Sequence, residues 1–351
     1  MIVDPNVTIP LAEITMAPPG TRSRRLRFAL VGLPFLLGGT GGCDPADDTD
    51  RHLLPTAPAL QAGHTSGATI FAPGVISDAR EQWRISFTPN GKTAYFASSD
   101  EFFPFTRQAT IYVSHLVRNE WTAPEVAPFS GQYSDIDPFL SPDGRRLYFS
   151  SIRPVDGVTR GDLDLWMVER TAQGWSEPVR LGPEVNGPED ELYASASASG
   201  TLYFASGPFF PQPGKHFDIY SAERAGEGFA PRQRLSDAIN TAPTGAPDEG
   251  LQDSWEFNPE ISADGHVLIF TSLRPGGYGL GDLYVSYRRG DTWTPARNLG
   301  PAVNSEQDEY HPTLSRNRRT LYFVRRIFQP DPPLLVPGDF YSIDTKALNL
   351  R

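Results

Sequence analysis

From residue 69 onward, apolar and polar positions alternate in short runs that recur in one frame. The stretches SFTPNGKTAYFASS, FLSPDGRRLYFSSIRP, SASASGTLYFASG, EISADGHVLIFTSLRP and TLSRNRRTLYFVRR are versions of a single pattern. Their anchor residues, Thr88, Ser141, Ser197, Ser262 and Ser315, stand 53, 56, 65 and 53 residues apart. After each anchor comes a turn, then a period-two strand centred on Tyr95-Phe96, Tyr148-Phe149, Tyr203-Phe204, Ile269-Phe270 or Tyr322-Phe323. Strand, tight turn and aromatic strand predict a hairpin, written five times. A third strand follows in each unit, as in DLDLWMVER or DLYVSYR, usually opened by an aspartate (Asp164, Asp218, Asp282, Asp339). A fourth begins with an aromatic residue and a proline: Trp121 to Pro124, Trp175 to Pro178, Phe229 to Pro231, Trp293 to Pro295.

Four strands in about 50 residues describe a propeller blade. The fifth unit stops after its third strand, while TIFAPGVI at residues 69–76 carries Phe71-Ala72-Pro73 in the frame of Phe229-Ala230-Pro231. The expected fold is therefore all-β, a five-bladed β-propeller over residues 68–351 whose N-terminal strand closes the last blade and removes exposed sheet edges. Six blades would need a unit that the repeat pattern does not supply.

Composition agrees with this reading. Thirty-two glycines and 34 prolines suit many short strands joined by turns and argue against a helical bundle. The formal charge of −11, which becomes more negative once the Arg-rich first 42 residues are set aside, excludes nucleic acid as an expected partner.

The front of the chain carries an address. Arg22, Arg24, Arg25 and Arg27 precede the apolar run Phe28 to Leu37, which is too short to span a bilayer but suits the core of an export signal. Translation is expected to start at Met16, since residues 1–15 are acidic. The run ends in GGTGGC, and Cys43 is the only cysteine. This arrangement resembles the lipobox of bacterial lipoproteins, with Thr40 where that motif usually has Leu. The resemblance implies a signal peptide over 1–42, a lipidated Cys43 that attaches the protein to a membrane, and a location in the bacterial cell envelope facing the periplasm or the exterior. Residues 44–67 have no strand or helix period and read as a flexible tether.

The repeats themselves, as DPFLSPDGRRLYFSS (137–151) and NPEISADGHVLIFTS (258–272) with GDLYVS (281–286), resemble the WD-like repeat of the TolB-type propellers. The resemblance covers roughly residues 68–345 and implies the propeller fold and action by binding other macromolecules.

First strands of propeller blades line the axis. Aligned units place Gln82, Asp135, Glu191, Glu256 and Glu309 at one level, and two residues later Arg84, Asp137, Tyr193, Asn258 and His311. By period two both sets share one face, giving a carboxylate-rich ring beside a mixed ring, and these ten residues are the candidate channel binding site. They suit a ligand with positive or hydroxyl groups, a basic peptide end or a sugar; calcium is conceivable, but five spread blades need not converge their oxygens on one ion. No cofactor is expected. The run GGYGLG (276–281) lies between strands with no following helix and is read as a turn. No nucleophile elbow, HExxH pair, cysteine metal motif or sialidase aspartate box occurs. Three classes of function follow: a non-catalytic, membrane-tethered module that binds an envelope protein or glycan through the funnel mouth and the long connections at 205–217 and 236–255; a glycoside hydrolase or lyase that draws its acid and base from Asp135, Glu191 and Glu256; or a purely structural envelope component.

Overall fold

The computed structural model describes residues 67–208, 215–242, 255–330, 333–348 and 350, together with two short N-terminal strands. Two compact units divide the chain, 1–65 and 66–351. In the first, Thr15–Met16 pairs with Arg24–Arg25; the signal core and Cys43 lie outside the described residues.

The second unit is a five-bladed β-propeller. The inner strands are Glu81–Phe87, Asp135–Leu140, Asp190–Ala196, Glu256–Ile261 and Asp308–Leu314. Each pairs with a second strand, Thr93–Ser99, Arg146–Ser151, Leu202–Gly207, Val267–Ser272 or Thr320–Arg326, and then a third, Thr110–Val117, Asp164–Thr171, Asp218–Ala222, Asp282–Arg289 or Asp339–Asp344. In the first four blades the fourth strand is split. Its aromatic residue ends a two-residue hairpin with the third strand, as Trp175 does opposite Arg170, and the blade edge proper, such as Val179–Arg180, starts only after the proline. Proline has no N–H for the ladder, so the break falls where the sequence puts Pro124, Pro178, Pro231 and Pro295.

Ring closure is as expected but its frame is not: Thr69 and Ile70 take the places of Gln233 and Arg234 of the third blade, and Phe71 that of Leu235 and not of Phe229, because the segment enters directly as the blade edge with no hairpin before it. Ile70 and Thr69 pair with Tyr341 and Ser342, and the Phe71 N–H donates to the Phe340 carbonyl at 2.7 Å. The Phe71 ring stands edge-on to Phe87, Trp121 and Tyr322, within 5.0–5.8 Å of each, so one residue joins the last blade to the first.

The blades interlock by a repeated backbone exchange. Residues just before the third strand, Gly338, Ala109, Leu163, Phe217 and Gly281, accept at their carbonyls from the N–H of Gln82, Asp135, Glu191, Glu256 and Glu309 of the following blade. One further side chain seals each edge. Asn186, Asn240 and Asn304 each accept from a third-strand N–H at 2.8 Å and donate back to its carbonyl; Ser130 and Ser77 accept from the matching N–H groups of Ile111 and Phe340. These groups would otherwise be buried without partners. The sequence carried this signal in LGPEVN, LSDAIN and LGPAVN, ending at the three asparagines.

Gly279 shows why the run at 276–281 is glycine-rich. A Cβ there would lie 1.9 Å from the Gln307 carbonyl and 2.5 Å from that of Ser305, so the turn packs directly on the next blade's entry loop.

Removing the closure strand leaves two open edges in a ring. Deleting residues 68–77 is expected to lower the melting temperature sharply or to yield aggregates, and Phe71→Ala to cost about 3 kcal/mol in chemical denaturation. Unchanged melting of the deletion variant would refute closure.

Candidate functional site

The two expected rings separate in the structure, because every inner strand carries a register shift at or just after the second of the two levels. In four blades the residue there is left-handed: Asp137 (φ 59°), Tyr193 (64°), Asn258 (51°) and His311 (50°). Three are followed by proline, Pro138, Pro259 and Pro312. Non-glycine residues pay roughly 1–2 kcal/mol each in this region, so strain is concentrated at one level of the propeller. A bulge breaks the alternation of faces, and acids two residues earlier no longer share a surface with the residues after them.

The acids are enclosed between blades. Asp135, Glu191, Glu256 and Glu309 are fully buried, each against an arginine of its own blade: Arg153 at 2.9 Å, Arg232 at 2.7 Å, Arg274 at 3.1 Å and Arg325 at 2.7 Å. The same arginines donate to the carbonyls of Phe129, Val185, Ile239 and Val303 on the entering loop. Each also lies over a third-strand aromatic ring, Trp166, Tyr220, Tyr284 or Tyr341, at 4.7–5.8 Å. The loop completes the clasp: Ser130 Oγ, Gly187 N, Thr241 N and Ser305 N donate to the four acids. Burial raises all four carboxyls, a rise that the arginines and loop donors only partly offset. In the first blade the neutral Gln82 takes the acid's place; it donates to Asp78, which also holds Arg80.

The second level gathers on the axis. Arg84, 1% exposed, spans it to form an ion pair with Glu260 and donates to the carbonyls of Tyr193 and Pro259. Asn258 Nδ2 lies 3.1 Å from His311 Nδ1, and Asp137 Oδ1 lies 3.4 Å from the same nitrogen. Arg84, Asp137, Asn258 and His311 are all buried, so the axis is filled by side chains at this height. Asp137 is fully buried and neither carboxylate oxygen has a hydrogen-bond partner among the described residues. Burial, only partly opposed by Arg84, pushes its carboxyl up to about 8, while burial and then Arg84 hold His311 well below the usual imidazole range. At neutral pH the pair is a carboxylic acid beside a neutral imidazole.

Above this plug, on the side carrying the connections between second and third strands, aromatic residues form a continuous path that sequence reading did not single out. Phe105, 77% exposed, meets Phe102; Phe102 stacks on Trp83 at 5.8 Å; Trp83 meets His311, and His311 meets Tyr193, which meets Phe257. The Arg326 guanidinium sits 3.5 Å over the Phe102 ring and is held by Glu81 at 2.5 Å. The cue in the sequence was EFFPFTR in the first unit, whose Phe-Phe-Pro recurs in the third unit at 209–211. Much of the two long connections, 209–214 and 243–254, lies outside the described residues. Among the described residues no group of three or more His, Cys, Asp or Glu side chains could hold a metal ion.

Among solved structures the chain is similar in fold to TolB propellers. TolB from Acinetobacter baumannii matches at 16% identity over 74% of this chain with a TM-score of 0.43, and this chain covers 57% of that one. The putative TolB from Agrobacterium tumefaciens matches at 15% over 76% of this chain and 90% of its own, with a TM-score of 0.44. An alpha-L-arabinofuranosidase from Lactobacillus brevis is similar to the same degree, 14% over 77% of this chain and 93% of its own, at a TM-score of 0.45. No family model and no curated protein matches the sequence.

Two outcomes follow from the axis. Arg84→Met leaves Glu260 buried without its partner and is expected to cost about 3–5 kcal/mol, with Arg84→Met combined with Glu260→Leu recovering most of it in urea denaturation. For Asp137 the folded pKa lies above the ordinary unfolded value, so the folded state holds a proton that the unfolded chain gives up as pH rises through the interval from about 4 to about 8. Stability from this group is thus complete below pH 4 and lost toward pH 8. Asp137→Asn is expected to melt like wild type at pH 4 and about 5 °C or more above it at pH 8; parallel melting curves across this range would refute the assignment.

Proposed function

We propose that the protein is a lipid-anchored component of the bacterial cell envelope whose propeller is a non-catalytic binding module for an envelope protein or glycan. The aromatic path at the mouth is the observation that carries the binding reading. It starts at a large apolar ring held in solvent, Phe105, backed by the half-buried Phe102 and the buried Trp83, and an exposed aromatic on a rigid support supplies contact area at small entropic cost. Glycoside chemistry, in contrast, needs an acid and a base that a substrate can reach. Asp135, Glu191, Glu256 and Glu309 are enclosed and each is already tied to an arginine. The envelope address rests on the arginine cluster, the ten-residue apolar run and the lone Cys43.

Cross-linking in envelope extract, followed by mass spectrometry, and an array of envelope glycans test the module. A partner captured by the wild-type chain is expected to be lost, by tenfold or more in yield, with Phe105→Ser, whose melting temperature stays unchanged because the ring is exposed. Undiminished capture by that variant would move recognition away from the mouth. For the anchor, mass spectrometry of the mature N-terminus is expected to show a diacylated Cys43 as first residue; a peptide retaining residues before it would overturn the anchor alone.

A further inference from the structure

The end of the propeller opposite the mouth is basic in an acidic protein. It holds the turns that join first to second strands and third to fourth strands, and backbone hydrogen bonds tie the two kinds together: the N–H groups of Leu116, Arg170, Arg288 and Thr345 donate to the carbonyls of Lys92, Arg145, His266 and Arg319. These turns, 88–92, 118–120, 141–146, 169–173, 197–201, 223–228, 262–266, 288–291, 315–319 and 344–346, hold twelve Arg and Lys against eight Asp and Glu. Residues 67–351 as a whole hold 26 against 36, so the sign of the charge reverses at this end.

The excess is confined to one sector. In the second and third blades the turns carry four basic and four acidic residues, whereas those of the fourth, fifth and first blades carry eight and four. Two of the eight are engaged in ion pairs, Arg318 with Asp264 at 2.9 Å and Arg288 with Asp291 at 3.9 Å. The other six, Lys92, Arg118, Arg289, Arg316, Arg319 and Lys346, are exposed and form no ion pair among the described residues, with only Glu120 and Asp344 left in these turns to oppose them. The fifth blade departs from the repeat to reach this state. Four hairpin turns place glycine at their left-handed position, Gly91, Gly144, Gly200 and Gly265, and the fifth, SRNRR, places Arg318 there at φ 56°. That conformation is costly for an L side chain and free for glycine.

The chain enters the propeller in the same sector. Thr69 and Ile70 pair with Ser342 and Tyr341, so this strand runs from the turn end toward the mouth and Gly67 precedes it at the level of Asp344. The next residue, Thr345, donates from its N–H to the Arg319 carbonyl and from its hydroxyl to that of Arg318. The basic cluster and the entering chain therefore share one rim.

We infer that this basic end is a docking face for the surface of an anionic phospholipid bilayer, an inference that rests on the anchor at Cys43 proposed above. Cys43 lies 24 residues before Gly67, so the rim stays within about 85 Å of the membrane even with the intervening chain fully extended. Tethering makes the contact intramolecular, and several exposed cations are drawn to a negatively charged leaflet within a Debye length of it. Four of the six are arginines, whose planar guanidinium groups bind phosphate in bidentate fashion. Docked in this way, the propeller turns Phe105 and the mouth away from the bilayer.

The mature protein, reconstituted into vesicles through its own anchor, tests this with a single dye at Ala347→Cys on the basic end or at Val158→Cys on the mouth side, both exposed positions. Acylation blocks the native thiol, so only the introduced one is labelled, and a quencher carried on lipid headgroups reads its distance from the bilayer. At low salt in vesicles of about one-third phosphatidylglycerol, the dye at 347 is expected to be quenched about threefold more than in phosphatidylcholine alone, and the dye at 158 equally little in both. High salt is expected to abolish the difference, as is the combined reversal Arg289→Glu, Arg319→Glu and Lys346→Glu. None of the three is ion-paired, so the reversal is expected to melt with wild type; should it not fold, the salt dependence of the wild-type dye decides. Equal quenching at 347 on both vesicles, quenching at 158 instead, or a response that survives salt and reversal overturns the docking face, as does capture of an acidic protein by this face with no response to lipid. Failure of the anchor is read separately, as a Cys43 thiol that reacts with maleimide in a chain that does not float with phosphatidylcholine vesicles. Flotation of wild type against the reversal on phosphatidylglycerol vesicles then decides the face.

Discussion

The clasp between an inner-strand acid and an arginine of the same blade is the interaction on which the ring depends. A propeller blade has one apolar face toward each neighbour, and those faces alone would let blades slide. The clasp prevents this, because the arginine binds the acid, a carbonyl of the loop arriving from the preceding blade and the face of a third-strand ring. An acid in water would gain little from such a pair. Enclosed here, with donors from the loop as well, it becomes a junction whose loss would leave a buried charge. The arginines reach equivalent positions from different places in their blades: Arg153 and Arg274 follow the second strand, Arg325 stands within it and Arg232 precedes the blade edge.

Where the clasp is altered, the molecule gains its individuality. The boundary at which the chain closes on itself uses Glu81 with Arg326 and Gly338 instead, together with the N-terminal strand. The first blade beside it has Gln82 for the acid, and both the aromatic insertion at Phe102–Phe105 and a cavity facing the second blade belong to this blade. Four blades with equivalent clasps provide rigidity, and the first is free to differ. Strain tells the same story at the axis, where four left-handed residues bring Asp137, Tyr193, Asn258 and His311 to one level and Arg84 crosses between them.

Blade number, strand order and closure were legible in the chain because they depend on local, repeated signals. The anchor-turn-aromatic frame specifies each hairpin by turn chemistry and period two, and the unfilled fourth strand of the last unit announced the closing strand, although Phe71-Ala72-Pro73 does not occupy the place of Phe229-Ala230-Pro231. The same repetition placed Arg84, Asp137, Tyr193, Asn258 and His311 at equivalent positions, and they do meet on the axis. What period two did not reveal was that Gln82 and the four acids leave that face. A bulge is a one-residue event, decided by how the strand pairs with its neighbour and tolerated only where surrounding structure enforces a left-handed residue.

The arginine clasps were likewise invisible in sequence, since their positions differ from blade to blade and only the closed ring brings each beside its acid. Burial is a property of the assembled ring too: nothing local marks Asp137 for a raised pKa or Ser98 for an unpartnered hydroxyl. By itself the sequence determined which strands form and in what order, because backbone pairing and turn geometry act over a few residues. Only the tertiary structure decided which polar groups would be enclosed, paired or left unpartnered, because desolvation and charge pairing depend on neighbours up to hundreds of residues away along the chain.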